Sequence, residues 1–132
     1  LKDLMKNEDN IPDNGLVNLA ARASWEASRA WCHGMGDDSH KAYDALTTEE
    51  KAPVRESVIG ILQGNTPEQI HQAWLRRKVA DGWSWGVEKD EARKEHPALL
   101  PYSELSPEQR VKNDIWRDTT QMMQKLYWTY PQ

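Results

Sequence analysis

Residues 66–86 read TPEQIHQAWLRRKVADGWSWG, and this stretch decides the fold. Thr66 is a typical N-cap, Pro67 suits the first helical position, and Gln69 stands where its side chain can reach back to the cap. Apolar residues then recur at helical spacing until Gly82. The stretch therefore predicts a helix that begins at Pro67, ends before Gly82 and leads directly into a tryptophan-rich segment.

Three further helices are predicted around this one. The tetrapeptide 106–109 (SPEQ) repeats the capping pattern before a long helix with apolar positions as far as Leu126. Helical spacing over 16–33 predicts a first helix, with Asn14 as its N-cap. Upstream of residue 64, Thr47 and Glu50 have the spacing of a capping box. Pro53 nevertheless predicts one turn near 48–51 and a separate main helix from about residue 53.

The length of 132 residues predicts one domain. We assign an N-terminal arm to 1–15, the domain to 16–128 and a tail to 129–132. The segment 83–105 is too long to be only a loop that joins two helices, so it is either built into the core or carries the function. Its alternating Trp83, Trp85 and Val87 are typical of a short extended segment.

Charge and composition exclude several classes of protein. The chain has 17 basic and 21 acidic residues, which argues against a duplex nucleic-acid partner. No apolar run approaches 18 residues, so no membrane partner is expected. The single cysteine allows no internal disulfide and favours a reducing compartment, here the cytoplasm.

No catalytic, metal or cofactor motif is present. Cys32 and the histidines at 33, 40, 71 and 96 lack zinc-site spacing, and there is no nucleophile elbow or glycine-rich phosphate loop. Asp37 and Asp38 are interpreted as turn or cap residues. The sequence therefore predicts no metal, no cofactor and no enzymatic activity. An enzyme acting on a nucleotide-like substrate, with His71 or His96 as acid or base, is a weaker alternative.

The basic and aromatic residues around 70–102 leave two interpretations open. Arg76-Arg77-Lys78 either complements the helix dipole or forms an anion contact together with Lys89, Arg93, Lys94 and His96. Four rings either anchor the core or form a platform for a ring or cation; they are Trp74, Trp83, Trp85 and Tyr102.

These residues resemble the RyR domain, the repeat module of ryanodine receptors, which also occurs in shorter bacterial and phage proteins. The resemblance is strongest over 67–117. It rests on HQAW at 71–74, GWSWG at 82–86, KD at 89–90, KEHP at 94–97, LPY at 100–102, Leu105 and Asp114. Trp85 stands where the family more often has tyrosine.

The resemblance implies a mainly α fold of about four helices in antiparallel pairs, with a long motif-bearing loop or short β element at 83–102. It implies no channel activity. We predict a non-enzymatic binding or sensing module for a small anionic or nucleotide-like ligand. The alternative is a protein–protein assembly or self-association module that uses Trp128 and Tyr130. The candidate ligand-binding residues are His71, Trp74, Lys78, Trp83, Trp85, Lys89, Lys94, His96 and Tyr102.

Overall fold

The structure, a computed structural model, describes residues 13–130. Most of the predicted arm and the last two residues of the predicted tail lie outside this range. The four helices are α1 (Asn14–Gly34), α2 (Thr48–Leu62), α3 (Pro67–Ala80) and α4 (Pro107–Thr129). Two short strands, β1 (Ser84–Trp85) and β2 (Glu95–His96), pair in parallel between α3 and α4. The prediction of a mainly α fold with four helices and a short β element is confirmed.

The predicted capping boxes are present. Thr66 and Ser106 each accept a hydrogen bond from the backbone N–H of the glutamine three residues later, and that glutamine's side chain accepts one from the cap's backbone N–H. Thr47 and Glu50 form the same arrangement at the start of α2. Each box satisfies two backbone donors that the first helical turn leaves unpaired. The starts of three helices are thus encoded locally.

The predicted cap of α1 was wrong by one residue. Asp13, not Asn14, is the N-cap, and its carboxylate accepts hydrogen bonds from the backbone N–H groups of Gly15 and Leu16. The Tyr127 hydroxyl of α4 donates to the same carboxylate at 2.9 Å. This distant contact favours Asp13 as the cap, and it lies beyond what local spacing can indicate.

The predicted break in α2 was also wrong, because the helix runs through Pro53 without interruption. Proline removes one backbone hydrogen bond, here the one to the carbonyl of Glu49, which is an exposed residue that water can reach. Val54 and Val58 are buried on the face that packs against the core. Their burial and the capping box together hold the segment as one helix.

The core lies between α1, α2 and α4. Its centre is formed by buried side chains from two helices and the loop between them, namely Ala20, Ala21, Tyr43, Leu46, Val54 and Val58. Trp25 and Trp116 pack against this cluster. No helix of the described residues is long and apolar enough to cross a bilayer.

The strands hold the long segment between α3 and α4. Ser84 pairs with Glu95, and Trp85 pairs with His96. Gly86 is buried directly behind this ladder, where an added Cβ would lie 2.6 Å from the Cβ of Glu95. A side chain at residue 86 would therefore push the two strands apart.

Candidate functional site

A row of rings crosses the domain beside the two strands. His96 lies between two tryptophans, with ring centroids 5.1 Å from Trp74 and 6.5 Å from Trp83. Trp74 lies 5.5 Å from His71, which in turn lies 6.0 Å from Tyr102. Five of the nine predicted site residues are thus brought together in one continuous row.

Two histidines of this row fix the backbone of the loop. His71 is buried, and its Nε2 lies 2.7 Å from the carbonyl oxygen of Leu100, to which it donates. The Nδ1 of His96 accepts a hydrogen bond from the backbone N–H of Ala98 at 2.9 Å. The first bond ties the loop to α3 and the second closes the turn around Pro97, so these histidines have an architectural role.

His96 remains uncharged at neutral pH. Burial lowers its pKa to about 4, and positive charges from Lys112, Lys89 and Lys78 act in the same direction. Its Nδ1 acceptor role also opposes protonation, because a second hydrogen on the ring would face the N–H of Ala98. Neutral His96 therefore carries its hydrogen on Nε2, which is a donor.

Three half-buried lysines from separate segments lie close enough to His96 for their charges to act on its pKa; we call Lys78, Lys89 and Lys112 the lysine cluster. Lys78, at the end of α3, lies over the ring of Trp83 with its Nζ 4.6 Å from the centroid. Burial, Lys89 and Lys112 all lower the pKa of Lys78. The cluster is therefore a region of concentrated positive charge on a chain whose net charge is −4.

The partners of the three lysines differ. Lys89 donates to the carboxylate of Asp37 at 3.1 Å and to the hydroxyl of Ser39 at 2.8 Å. Within residues 13–130, Lys112 makes no hydrogen bond or ion pair, although it lies close enough to act on the pKa of His40 and His96. The ammonium group of Lys112 is therefore available to an anion without the loss of an existing hydrogen bond or ion pair.

Asp37 is the nearer of two carboxylates that pair with Lys89, at 3.1 Å. Burial acts to raise its pKa, but hydrogen bonds from Ser39 and the charge of Lys89 outweigh that effect and hold the pKa well below its usual range. Asp37 is ionised at neutral pH and offsets one positive charge. The exposed Glu91 lies further out, 3.9 Å from Lys89.

His40 completes the site from the other side of Asp37. Its ring contacts Trp25 at 5.6 Å, and its buried Nδ1 lies 3.7 Å from Asp37 Oδ2, too far for a hydrogen bond. Burial and the positive charges of Lys112 and Lys89 lower the pKa of His40 to about 4. Two neutral imidazoles thus border the lysine cluster.

A group of metal-ligand type overlaps this site. The ligand atoms of Cys32, Asp37 and His40 lie within 4.8 Å of one another. Sequence spacing did not indicate this group. However, Lys89 already donates to the carboxylate of Asp37, and all three lysines raise the local positive potential. This electrostatic environment opposes a divalent cation and favours an anion.

Two predicted residues, Trp85 and Lys94, belong neither to the row of rings nor to the lysine cluster, and Tyr102 ends the row. Trp85 is half exposed, with 51% of its surface accessible. Lys94 donates to the backbone carbonyl of Asp81 at 2.8 Å, and its own backbone has a positive φ of 54°. Tyr102 lies beneath the guanidinium of Arg110, 4.9 Å from its ring centroid. None of these three belongs to the lysine cluster.

Sequence reasoning missed three residues of the site. Lys112 lies on a polar face of α4, whereas Asp37 and His40 lie in the loop after α1. The only local sequence pattern at these residues was the adjacent pair Asp37 and Asp38, which was interpreted as turn or cap residues. The turn is present, since Asp37 Oδ1 accepts from the backbone N–H of Ser39 at 3.0 Å. The other carboxylate oxygen, Oδ2, accepts a hydrogen bond from the ammonium group of Lys89.

Fold and site define a small helical module in which a ring-lined loop brings together cations from three segments. A family model described as the RyR domain matches residues 62–131, more than half of the chain. The chain belongs to the RyR domain family. The matched region holds α3, both strands, α4 and all three lysines of the cluster. Asp37 and His40 lie outside it.

Proposed function

We propose that this protein is a non-enzymatic binding or sensing module that takes a small anionic ligand, of the phosphate-bearing and nucleotide-like class, at the lysine cluster. The observation that carries the proposal is that Lys78, Lys89 and Lys112, from three separate segments, lie close enough to His96 to act on its pKa. Of these three lysines, only Lys89 is paired with carboxylates among the described residues, those of Asp37 and Glu91. Cations are drawn together at the cost of mutual repulsion and desolvation, and an anion between them removes that cost.

The rings beside the cluster support the nucleotide-like class. Trp83 already receives the ammonium of Lys78 on its face, and His96 offers an Nε2–H donor next to it. An aromatic base can stack on an indole while its phosphate contacts the lysines, a combination that proteins use widely for nucleotides. The half-exposed Trp85 lies two residues further along the same segment.

The state of the histidines supports binding rather than catalysis. His71 is buried and donates to the carbonyl of Leu100, so it does not reach a ligand at the lysine cluster. A pKa of about 4 makes His96 a weak base at neutral pH. The proposal includes a bacterial or phage origin and a reducing, cytoplasmic environment, in which the buried thiol of Cys32 persists.

Titration calorimetry with orthophosphate, pyrophosphate and AMP tests the proposal. We expect one site, and we expect Lys112→Gln to weaken binding about tenfold, the equivalent of roughly 1.4 kcal/mol. Lys125→Gln removes the same charge from an exposed position on α4 and should leave the affinity unchanged. Absence of heat with all three anions, or equal losses in both variants, would contradict the proposal.

A second candidate is an assembly module that uses the C-terminal half of α4. Met122, Leu126 and Tyr130 are exposed there to between 41% and 66%. The buried Nε1 of Trp128 has no hydrogen-bond partner in residues 13–130. Sedimentation velocity over a range of concentrations tests self-association. Dimerisation that Leu126→Lys abolishes supports this candidate, and a monomer at all concentrations opposes self-association.

A further inference from the structure

The last turns of α4 carry an apolar stripe that the described residues leave exposed. The stripe consists of Met122, Leu126 and Tyr130, which lie on one face of the helix because they are four residues apart, and which are exposed to between 41% and 66%. Met123 packs against the core cluster, and Leu126 and Tyr130 follow it by three and seven residues. The stripe therefore continues the face by which α4 joins the core, and a contiguous exposed apolar surface marks an interaction site.

The start of the described chain is tied to this end of α4. The Tyr127 hydroxyl donates to the carboxylate of Asp13 at 2.9 Å, and the same carboxylate caps α1. Gly15 lies against that hydroxyl as well, since an added Cβ there would be 2.7 Å from the oxygen. The chain therefore enters the described fold beside Tyr127, within one helical turn of Leu126 and Tyr130.

Residues 1–12 read LKDLMKNEDNIP, and their apolar positions suit such a stripe. Leu1, Leu4 and Met5 have the spacing of one helical face, and Ile11 follows Leu4 by seven residues. The stripe is about 12 Å long from Met122 to Tyr130, at 1.5 Å per helical residue. Residues 4–11 span about 10 Å as a helix and up to roughly 25 Å when extended, so either conformation reaches along it.

The charges on the two sides are complementary. Residues 1–12 contain two lysines and three acidic residues, so their net charge is −1. Glu8 and Asp9 precede Asp13 by only a few residues. Lys125 borders the stripe, three residues after Met122, and makes no ion pair within residues 13–130. An acidic segment that leaves Asp13 along α4 therefore meets an available cation.

We propose that residues 1–12 dock on the apolar stripe of their own chain. Attachment at Asp13 gives this segment an effective concentration at the stripe on the order of millimolar, which a second copy at micromolar concentration does not match. The contact does not involve the lysine cluster, so it goes beyond the proposed ligand-binding function. It occupies the surface that the second candidate function would use, so a second copy would have to displace residues 1–12 to bind there.

Oxidation of the intact chain by hydrogen peroxide, followed by tandem mass spectrometry, tests the proposal. Met35 and Met122 are 55% and 51% exposed, so they form a matched pair within one molecule. We expect Met122 to oxidise at least about threefold more slowly than Met35, which corresponds to a stripe covered for about two-thirds of the time. Equal rates for the two methionines would overturn the proposal.

Two variants separate apolar contact from charge. Leu4→Asp and Asn7→Asp each add one negative charge to residues 1–12, but only Leu4→Asp removes an apolar side chain. Leu4→Asp should bring the oxidation rate of Met122 close to that of Met35, whereas Asn7→Asp should leave Met122 protected. Protection that survives Leu4→Asp, or that both variants abolish equally, also contradicts the proposal.

Dilution of the unmodified protein identifies the occupant without any substitution. Protection by residues 1–12 is independent of protein concentration, whereas protection by a second copy declines on dilution from about 100 μM to about 1 μM. Protection lost on dilution overturns the proposal in favour of self-association. Phosphate affinity should be unchanged in Leu4→Asp, so failure of this inference leaves the proposed function standing.

Discussion

The Nδ1 atom of His96 accepts a hydrogen bond from the backbone N–H of Ala98 at 2.9 Å, and this contact closes the turn around Pro97. It assigns the hydrogen of the neutral ring to Nε2. Burial above all lowers the pKa of the ring, and the neighbouring lysines act in the same direction. The hydrogen bond also opposes protonation, because a proton on Nδ1 would place a donor where an acceptor is needed.

Acid should therefore destabilise the fold. His96 and His40 have folded-state pKa values of about 4, below their ordinary value of 6.5. The unfolded state binds more protons between these values, so their contribution to stability is fully present above pH 6.5 and is lost as pH falls toward 4. We expect the urea midpoint to be lower at pH 5 than at pH 7.

The variant His96→Asn isolates the part that belongs to His96. Its side-chain oxygen accepts from Ala98 in the same way but does not titrate. We expect a smaller loss of stability between pH 7 and pH 5 than in the unmodified protein. An identical loss in both would show that His96 contributes nothing to the acid sensitivity.

His71→Ala should destabilise the fold without weakening anion binding. The substitution removes a buried ring and leaves the carbonyl of Leu100 without its donor, which costs about 2–4 kcal/mol. Urea denaturation measures the loss, with His33→Ala at an exposed position as control. An unchanged phosphate affinity at low temperature, where the variant is folded, would separate the architectural role from ligand contact.

Gly86→Ala should lower the free energy of unfolding by about 1–3 kcal/mol, because the new Cβ meets Glu95 at 2.6 Å. Gly34→Ala is the matched control, since an added Cβ there has no neighbour within 4 Å. Gly34 ends α1, where alanine is tolerated or stabilising. Equal midpoints of thermal unfolding for the two variants would contradict the close approach of the strands.

Ser24 and Thr120 form a buried pair of hydroxyls that joins α1 to α4, 3.0 Å apart and fully inaccessible. Ser24→Ala alone should cost about 1–3 kcal/mol, because it leaves the Thr120 hydroxyl buried without its partner. The double variant with Thr120→Val should cost less than the sum of the two single variants. A double-mutant cycle measured by urea denaturation tests this, and strict additivity would contradict it.

Local rules account for much of the fold. Three capping boxes could be identified from four-residue patterns, because the atoms they join are close along the chain. The cap at Asp13 and the continuity of α2 through Pro53 were missed. Both depend on tertiary contacts, namely the hydroxyl of Tyr127 and the burial of Val54 and Val58.

The site was predictable only in part. Lys78, Lys89 and His96 lie in a recognisable motif, so the sequence identified them as candidates. Lys112 lies within the matched region but on α4, and His40 lies before that region in the loop after α1. Only the packing of α1 and α4 brings them to the other site residues. Periodicity or spacing within one segment does not indicate that residues from different segments come together in the fold.

The origin of the three lysines has a consequence for how such a site changes during evolution. Lys78 and Lys112 belong to helices whose starts are fixed by matching capping boxes, whereas Lys89 belongs to the loop between β1 and β2. Substitutions at exposed positions of that loop, such as Glu88 and Arg93, alter charge and reach without disturbing buried packing. The helices therefore form a constant frame, and under the proposed function changes of ligand preference belong to the loop, where they cost little in folding.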